Sequence, residues 1–550
     1  MWTMNIVSYL KPVITGRKFL YNLIVMLLFA MAVFLPDFVI KAVGNIPVQM
    51  EWQFLGGILL FGFLLSFAGR VAGLFYILII LLMQLIQVNY TVYFGGPVEA
   101  GNLMNIVREA EDVFDVSYLR NTWYVTPLLL LLFGTFGYMF WKLPAIKVRW
   151  IWLVLLVLAS HHPYRAYSLT KGVWYFQPSV TRPTLRNSVS TFSYFFFRYL
   201  PQGYQTLSVA YRPYSVEPRP SDTENILLIF GESLYSGHIQ MYGYERETFP
   251  KTESIIKSDE NWRIFQGISG GIATATSTMF FFNDVREPAN AAEIKAKTAN
   301  LFRLAKQAGF KTYYISNQES RLTMSFGAQN LDHIITNDMK PLFFKKYQDE
   351  GLAKLLEDTD MSQGKNFIVL HMRSPHSPFE KRYKGREAEF EKFTPAADSE
   401  DYHTYYTNTY DNALLYTDLA ISQMIRTFEQ KVAGSKYSIY VTADHGELFN
   451  YDGRYGHNNL VLEQGKVPFF VKQYQPMDIP PVVSHYQIGK IIAADLGFEV
   501  INPNEKDNIY YIHGNNTDFP YDFIEYKIDG ADAVTIEKKN SADLISNKHP

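Results

Sequence analysis

Uninterrupted apolar runs dominate the first 160 residues of the chain and almost vanish afterwards. Four of them, roughly 19–40, 52–69, 72–94 and 123–141, each approach the ~20 residues that an α-helix needs to cross hydrocarbon. A fifth, 148–160, is shorter and is extended by the apolar stems of Lys147 and Arg149. The pattern therefore predicts a five-helix transmembrane domain over 1–160. Lys11, Arg17 and Lys18, then Arg70, then Lys142, Lys147 and Arg149 fall in places that share one side, which the basic-residue rule makes cytoplasmic. The loop 95–122 is net acidic and lies opposite, so five crossings deliver everything after residue 161 to the outer side. Residues 161–220 read as an interfacial helix and linker. Segment 191–200 (TFSYFFFRYL) suits a helix in the headgroup layer or one packed under the next domain, and Pro213, Pro218 and Pro220 mark the linker.

From residue 225 the period changes. Short runs rich in β-branched and aromatic residues, 226–230, 311–315, 367–371 and 437–442, alternate with helical stretches such as 294–308 and 411–428. Such alternation predicts an α/β domain over 221–550 with a mostly parallel central sheet and helices on both faces. The tail runs 508–511 and 523–528 read as edge strands without chemistry. Ligands bind such sheets at the carboxyl ends of the strands, so the residues that follow each strand matter most. The first strand runs into Gly231-Glu232-Ser233. A later one ends at His371 and leads to Ser374-Pro375-His376, and the last runs into Asp444-His445-Gly446-Glu447, with His457 soon after. Singly these are commonplace, and a Glu after a strand is usually a helix cap. Converging on one sheet edge, Glu, Asp and His offer the oxygen and nitrogen donors that Zn²⁺ accepts. Between strands, the run 269–278 (SGGIATATST) precedes apolar residues 279–282. It has the look of a loop that opens a helix, whose first N–H groups favour an anion. A hydroxyl there is either an N-cap or a nucleophile whose pKa a metal lowers.

Composition narrows the picture. With 51 Lys+Arg against 53 Asp+Glu, the chain lacks the basic excess of a nucleic-acid binder. It has no Cys, which removes thiolate nucleophiles, Cys-type zinc sites, iron–sulfur ligation and disulfides together. The apolar runs contain almost no ionisable residues, whereas transport paths usually do.

Taken together, the motifs resemble the inner-membrane phosphoethanolamine transferases of Gram-negative bacteria. The stretches that carry the likeness are NILLIFGESL at 225–234, MYGYERETFP at 241–250, 271–280, 381–395 ending in FEKFTP, NTYDNALLYTD at 408–418 and YVTADHGELFNYDGRYGH at 440–457. The resemblance implies an alkaline-phosphatase-like or sulfatase-like domain with one zinc ion and room for a second. It puts Glu232, Thr274, Asp444 and His445 at the zinc positions, with Thr274 as the nucleophile, and it gives His376 and His457 the task of holding or protonating the phosphate. His371 and Glu447 become outer-shell, second-metal or substrate-side candidates. In the acidic loop, Asn105 matches a lipid-headgroup contact, and Glu109, where a Thr is usual, is available for the substrate ammonium. Relatives closest to lipid A modification carry disulfides, one of them bracketing the nucleophile loop. Here Gly270 and Phe280 occupy those two places, and Met279 replaces a common Pro.

The implied activity is transfer of phosphoethanolamine from phosphatidylethanolamine to a cell-envelope acceptor, by ping-pong chemistry through a phospho-threonine, with the catalytic domain in the periplasm. The acceptor is lipid A phosphate, a core-sugar hydroxyl of lipopolysaccharide, another glycan or a surface protein, and the missing cysteines tilt the choice away from lipid A. A phosphoglycerol transferase of the lipoteichoic acid type, and an inactive lipid- or glycan-binding envelope protein, are the alternatives. A formylglycine sulfatase is disfavoured, because no Cys/Ser-x-Pro-x-Arg motif is present.

Overall fold

The computed structural model describes residues 17–546 except 45–47, 95–96, 99, 101–102, 104–123, 143–147, 149, 169–172, 177, 180, 202–208, 363, 396–400, 458, 515–521 and 542. The chain divides into two compact units, Met1–Tyr204 and Gln205–Pro550.

The first unit contains α1 (Arg17–Gly44), α2 (Trp52–Leu65), α3 (Arg70–Phe94), α4 (Val125–Lys142), α5 (Ile151–Ser168) and α6 (Thr184–Tyr194). Among the described residues only three segments, Phe19–Ala42, Arg70–Val92 and Val125–Lys142, are long and apolar enough to cross a membrane, so three of the five expected spans are supported and the count of five is not confirmed. Helix α2 has 14 residues, about 21 Å at 1.5 Å per residue, which is short of the ~30 Å hydrocarbon core. It stops where Ser66 Oγ donates to Phe63 O (2.6 Å) and Gly69 takes a φ of 81°. Helix α5 starts apolar but ends in SHHPYRAYS, too polar for hydrocarbon. Small residues bring neighbouring helices together. A Cβ on Gly62 would stand 2.9 Å from Phe29 Cδ1, and one on Gly73 would stand 2.3 Å from the Phe140 ring. Segment 191–200 is the end of α6 and a π-helical turn, Phe195–Tyr199. Within this unit, Thr184 N donates to Asp37 Oδ1 (2.8 Å) and Thr191 Oγ1 to Val98 O (3.0 Å). Helix α6 is thereby packed inside the unit, while Phe196 and Phe197 stay exposed.

The second unit is built on an eight-stranded sheet: β1 (Asn225–Gly231), β2 (Trp262–Ile268), β3 (Phe310–Ser316), β4 (His333–Ile335), β5 (Lys365–His371), β6 (Tyr437–Ala443), β7 (Lys466–Lys472) and β8 (Val482–Ser484). Their order is β8-β2-β7-β6-β1-β5-β3-β4. The block β6-β1-β5-β3-β4 is parallel, but β7 runs antiparallel to both β6 and β2. The sheet is therefore mixed rather than the mostly parallel one expected. The strands that change its character carry weak sequence signals: β2 (WRIFQGI) mixes in Arg and Gln, and β7 (KVPFFVK) contains Pro468. Pro468 is tolerated because the ladder to β6 covers only Phe470–Lys472.

Alternation along β1 sorts its side chains between two cores. Leu227 and Ile229 share one with Ile368, Leu370, Ile439 and Val441 of the neighbouring strands. Leu228 and Phe230 share the other with Val369 and Tyr440. The helices that cover these faces include α7 (Thr274–Asn283), α8 (Tyr402–Lys431) and α9 (His485–Asp495). Helix α8 seals the first core with Leu414, Ile421 and Ile425. Helices α7 and α9 seal the second with Phe281, Phe282, Ile488 and Ile492. The stretch 294–308 is two helices rather than one. Ala291–Ala296 ends at Lys297 with φ 55°, and Asn300 caps Leu301–Gln307 by accepting from Arg303 N (2.9 Å). The tail forms a three-stranded antiparallel sheet, Ile509–His513, Asp522–Asp529 and Asp532–Asn540.

Candidate active site

Strands β1 and β6 are parallel neighbours with Gly231 opposite Ala443. The chain therefore leaves both at the same level, and Glu232 emerges beside Asp444 and His445. All three are buried, and their ligand atoms lie within 4.8 Å of one another. His445 Nε2 is 3.6 Å from Glu232 Oε1 and 3.4 Å from Asp444 Oδ2. Backbone contacts fix these side chains. Ser233, at φ 51°, donates its N–H to Asp444 Oδ1 (2.8 Å), as does His445 N (2.7 Å). His445 Nδ1 lies 2.9 Å from Gly446 O. A carbonyl only accepts, so Nδ1 carries the proton and Nε2 presents a lone pair to the carboxylates. Asp444 Oδ2 and His445 Nε2 are both buried without a hydrogen-bond partner. Two orphaned acceptors facing each other are costly unless a cation lies between them, and the donor set of two carboxylates and an imidazole fits zinc.

The electrostatics agree. Burial pushes the Glu232 carboxyl up, but the charges of His376, His445, His457 and His371 outweigh it and hold the group at about 2. Burial and the adjacent Glu232 charge raise Asp444 well above the usual carboxylate range, while burial lowers His445 to about 4. The pocket tolerates one negative charge unaided, and a second needs a cation.

Thr274 opens α7, with Oγ1 donating to Glu232 Oε2 (3.1 Å) and lying 3.4 Å from Oε1. The loop before it is tightly held. Ser269 Oγ reaches Gly271 O (2.7 Å) and Asp444 O. Gly271 has no room for a Cβ, which would stand 2.8 Å from Ser277 N. The tail sheet clasps the loop from outside: His513 N donates to Gly270 O (2.9 Å), and Ile272 N donates to His513 O (3.2 Å). The His513 ring stacks on Phe280 at 3.4 Å between centroids. A Cβ on Gly270 would lie 3.7 Å from Phe280 Cβ.

The remaining candidates divide. His457 is 5.1 Å from His445 and 5.3 Å from His376, ring to ring. Its Nδ1 lies 3.3 Å from Glu447 Oε2; burial lowers its pKa, but Glu447 outweighs this and raises it. Glu447 is thus a partner of His457 and stands outside the three-residue cluster. His371 is fully buried, its Nδ1 2.7 Å from Tyr314 OH and its ring against Phe230, so it lines no open surface. Asn105 and Glu109 lie outside the described residues. Three neighbours were not anticipated. Gln318 Nε2 donates to Glu232 Oε2 (2.5 Å), Tyr406 OH to Glu447 Oε1 (2.6 Å), and Arg382 Nε to His376 O (3.0 Å). Gln318 follows the end of β3, so extending the strand-end rule beyond charged residues and histidine would have found it.

Residues 224–487 match the model of the sulfatase family. That match lies within the second unit and covers just under half of the chain. The phosphoethanolamine transferase EptC of Escherichia coli K12 is 28% identical over 240 residues, 41% of this chain and 40% of its own length. The Kdo(2)-lipid A phosphoethanolamine 7''-transferase of Salmonella typhimurium is 28% identical over 268 residues, 46% of this chain and 45% of its own. These similarities agree with the resemblance to phosphoethanolamine transferases read from the motifs. The chain spans less than half the length of these curated relatives. Among solved structures, the C-terminal periplasmic domain of EcEptC from Escherichia coli aligns with 60% of this chain and 97% of its own, at 20% identity and a TM-score of 0.47.

Proposed function

We propose that the protein is an inner-membrane phosphoethanolamine transferase that moves the headgroup of phosphatidylethanolamine to an acceptor on lipopolysaccharide or another envelope glycan. The observation that carries this reading is the Thr274 hydroxyl, hydrogen-bonded to Glu232 at a helix N-terminus beside the two partnerless acceptors of Asp444 and His445. The phosphoethanolamine transferases among the relatives support the substrate class, the three apolar helices support a membrane anchor, and the basic residues flanking the spans support a periplasmic place for this domain.

Glu232, Asp444 and His445 would hold one zinc ion, a Lewis acid that lowers the pKa of a neighbouring hydroxyl and polarises phosphoryl oxygens. Thr274 Oγ1, aligned by its bond to Glu232, loses its proton to solvent and attacks phosphorus, where the first N–H groups of α7 favour the anion. The bond to diacylglycerol breaks, and His457, steadied by Glu447, hands a proton to the departing oxygen. His376 neutralises phosphoryl charge. An acceptor hydroxyl then passes its proton to His457, left neutral by the first step, and attacks phosphorus; the bond to Thr274 Oγ1 breaks and that oxygen takes up a proton from solvent, which gives ping-pong kinetics.

The test is mass spectrometry of the protein after incubation with phosphatidylethanolamine. The peptide bearing Thr274 should gain one phosphoethanolamine, and Thr274→Ala should gain none. An adduct that persists in the variant removes Thr274 from its role. Labelled phosphatidylglycerol should leave no adduct, and if it does, the donor assignment is wrong.

A further inference from the structure

A hairpin, Leu448–Tyr451 paired with Arg454–Gly456, joins Glu447 to His457, so both of its ends are residues of the centre. The start of α8 lies against it. From Glu447 outward runs a chain of rings. Tyr406 is buried with its hydroxyl on Glu447, and its ring lies 5.3 Å from Tyr455 and 5.5 Å from Tyr402. Tyr402 and Tyr455 meet edge to face at 4.9 Å. Tyr455 OH is 3.2 Å from His403 Nδ1. Burial falls along this path: Tyr406 is 8% exposed and Tyr402 is 45% exposed. At the hairpin tip, Tyr451 is 41% exposed, with the Arg454 guanidinium 5.7 Å over its ring.

Scattered exposed aromatics are ordinary, but contiguous rings leading from a reaction centre to solvent define a surface. We propose that this rim, Tyr402, His403 and Tyr455 over the floor of Tyr406, seats a saccharide ring of the acceptor. This inference rests on the transferase reading above. The chemistry selects the occupant. The rings present negative π faces to the polarised C–H face of a sugar, as they do to any partly positive edge. The rim also carries hydroxyl and imidazole groups, which can exchange hydrogen bonds with the sugar's own hydroxyls. Tyr also loses little conformational freedom on binding, having two side-chain torsions.

The experiment uses the full chain in detergent, phosphatidylethanolamine as donor, and an oligosaccharide from lipopolysaccharide stripped of its acyl chains as acceptor. Yield of the Thr274 adduct without acceptor is measured in the same preparations. In Tyr402→Ala and Tyr455→Ala the KM for the oligosaccharide should rise about five- to tenfold, the effect of losing one aromatic contact. Tyr402→Phe should stay within about twofold, and Tyr474→Ala, an exposed Tyr elsewhere, should match the parent. An unchanged KM in both alanine variants alongside normal adduct yield overturns the rim. A KM rise seen only with fully acylated acceptor also overturns it, by giving the surface to an acyl chain. If the parent protein forms no adduct, the transferase reading fails instead. Calorimetric titration of the oligosaccharide into parent and Tyr402→Ala then decides the rim, with weaker binding to the variant expected and equal binding refuting it.

Discussion

The clasp on the loop that precedes Thr274 can be taken apart and rebuilt. Phe280 is 3% exposed and stacked on His513, so Phe280→Ala should cost about 3–5 kcal/mol of stability. It should also lower transfer, because Gly270 and Thr274 lose their outer brace. Gly270 and Phe280 stand 3.7 Å apart at Cβ, inside the ~3.5–4.5 Å window for a disulfide. The pair Gly270→Cys with Phe280→Cys would close a loop of about eleven residues, worth about 3 kcal/mol. That roughly offsets the lost ring. The oxidised double variant should therefore melt within a few degrees of the parent, and dithiothreitol should lower its melting temperature by about a further 4 °C for a unit of this size. Thermal unfolding of detergent-purified protein with and without reductant, with thiol titration to count the bond, reads the outcome. Failure of the two cysteines to pair, or a parent-like melting temperature for Phe280→Ala, would refute the argument.

Other perturbations report on the centre and its supports. Tyr406→Phe removes the donor to Glu447 and should cut turnover roughly tenfold, the equivalent of ~1.4 kcal/mol for a bond to a charged group; parent-like steady-state rates would count against the role of Glu447 in steadying His457. Gly446→Ala places a Cβ 2.9 Å from the carbonyls of both Gln464 and Lys466. It should destabilise by about 1–3 kcal/mol and reduce zinc measured by elemental analysis. Asp284 is buried, with both carboxylate oxygens lacking partners, and burial raises its pKa well above 3.8. The folded state then holds a proton that the unfolded state releases, so its contribution to stability is present at low pH and is lost as pH climbs from 3.8 toward the raised value. Asp284→Asn should accordingly flatten the pH dependence of melting and raise the melting temperature at pH 8, and parallel curves for the two proteins would contradict this.

Legibility in the sequence followed burial. Strands buried on both faces, such as NILLIFG and YSIYVTA, stand out as apolar runs, and the observed β1 and β6 differ from the expected ranges by a residue at one or both ends. The antiparallel part stayed hidden because β2 and β7 carry Arg263, Gln266 and Pro468, residues that look like loop when read singly. The break within 294–308 depends on Lys297 adopting positive φ and on Asn300 acting as a cap, neither of which interrupts the apolar period. In the site, Glu232, Asp444 and His445 could be read from strand ends because a parallel sheet brings such ends together. Gln318, just past the end of β3, needed only a rule that admits neutral polar residues, whereas Tyr406 and Arg382 lie on helical turns away from any strand end and act on partners 41 and 6 positions away. Helix α2 shows the opposite failure: its apolar run continues past the point where Ser66 and Gly69 end the helix.

Holding the catalytic loop by a stacked Phe–His pair and two backbone bonds, with no sulfur at all, has a consequence for how the protein matures. The second unit can reach its folded conformation without any thiol oxidase or disulfide shuffling. The same protein should therefore emerge equally competent from cells grown in air or in the presence of strong reductants, a latitude denied to any counterpart that depends on crosslinks.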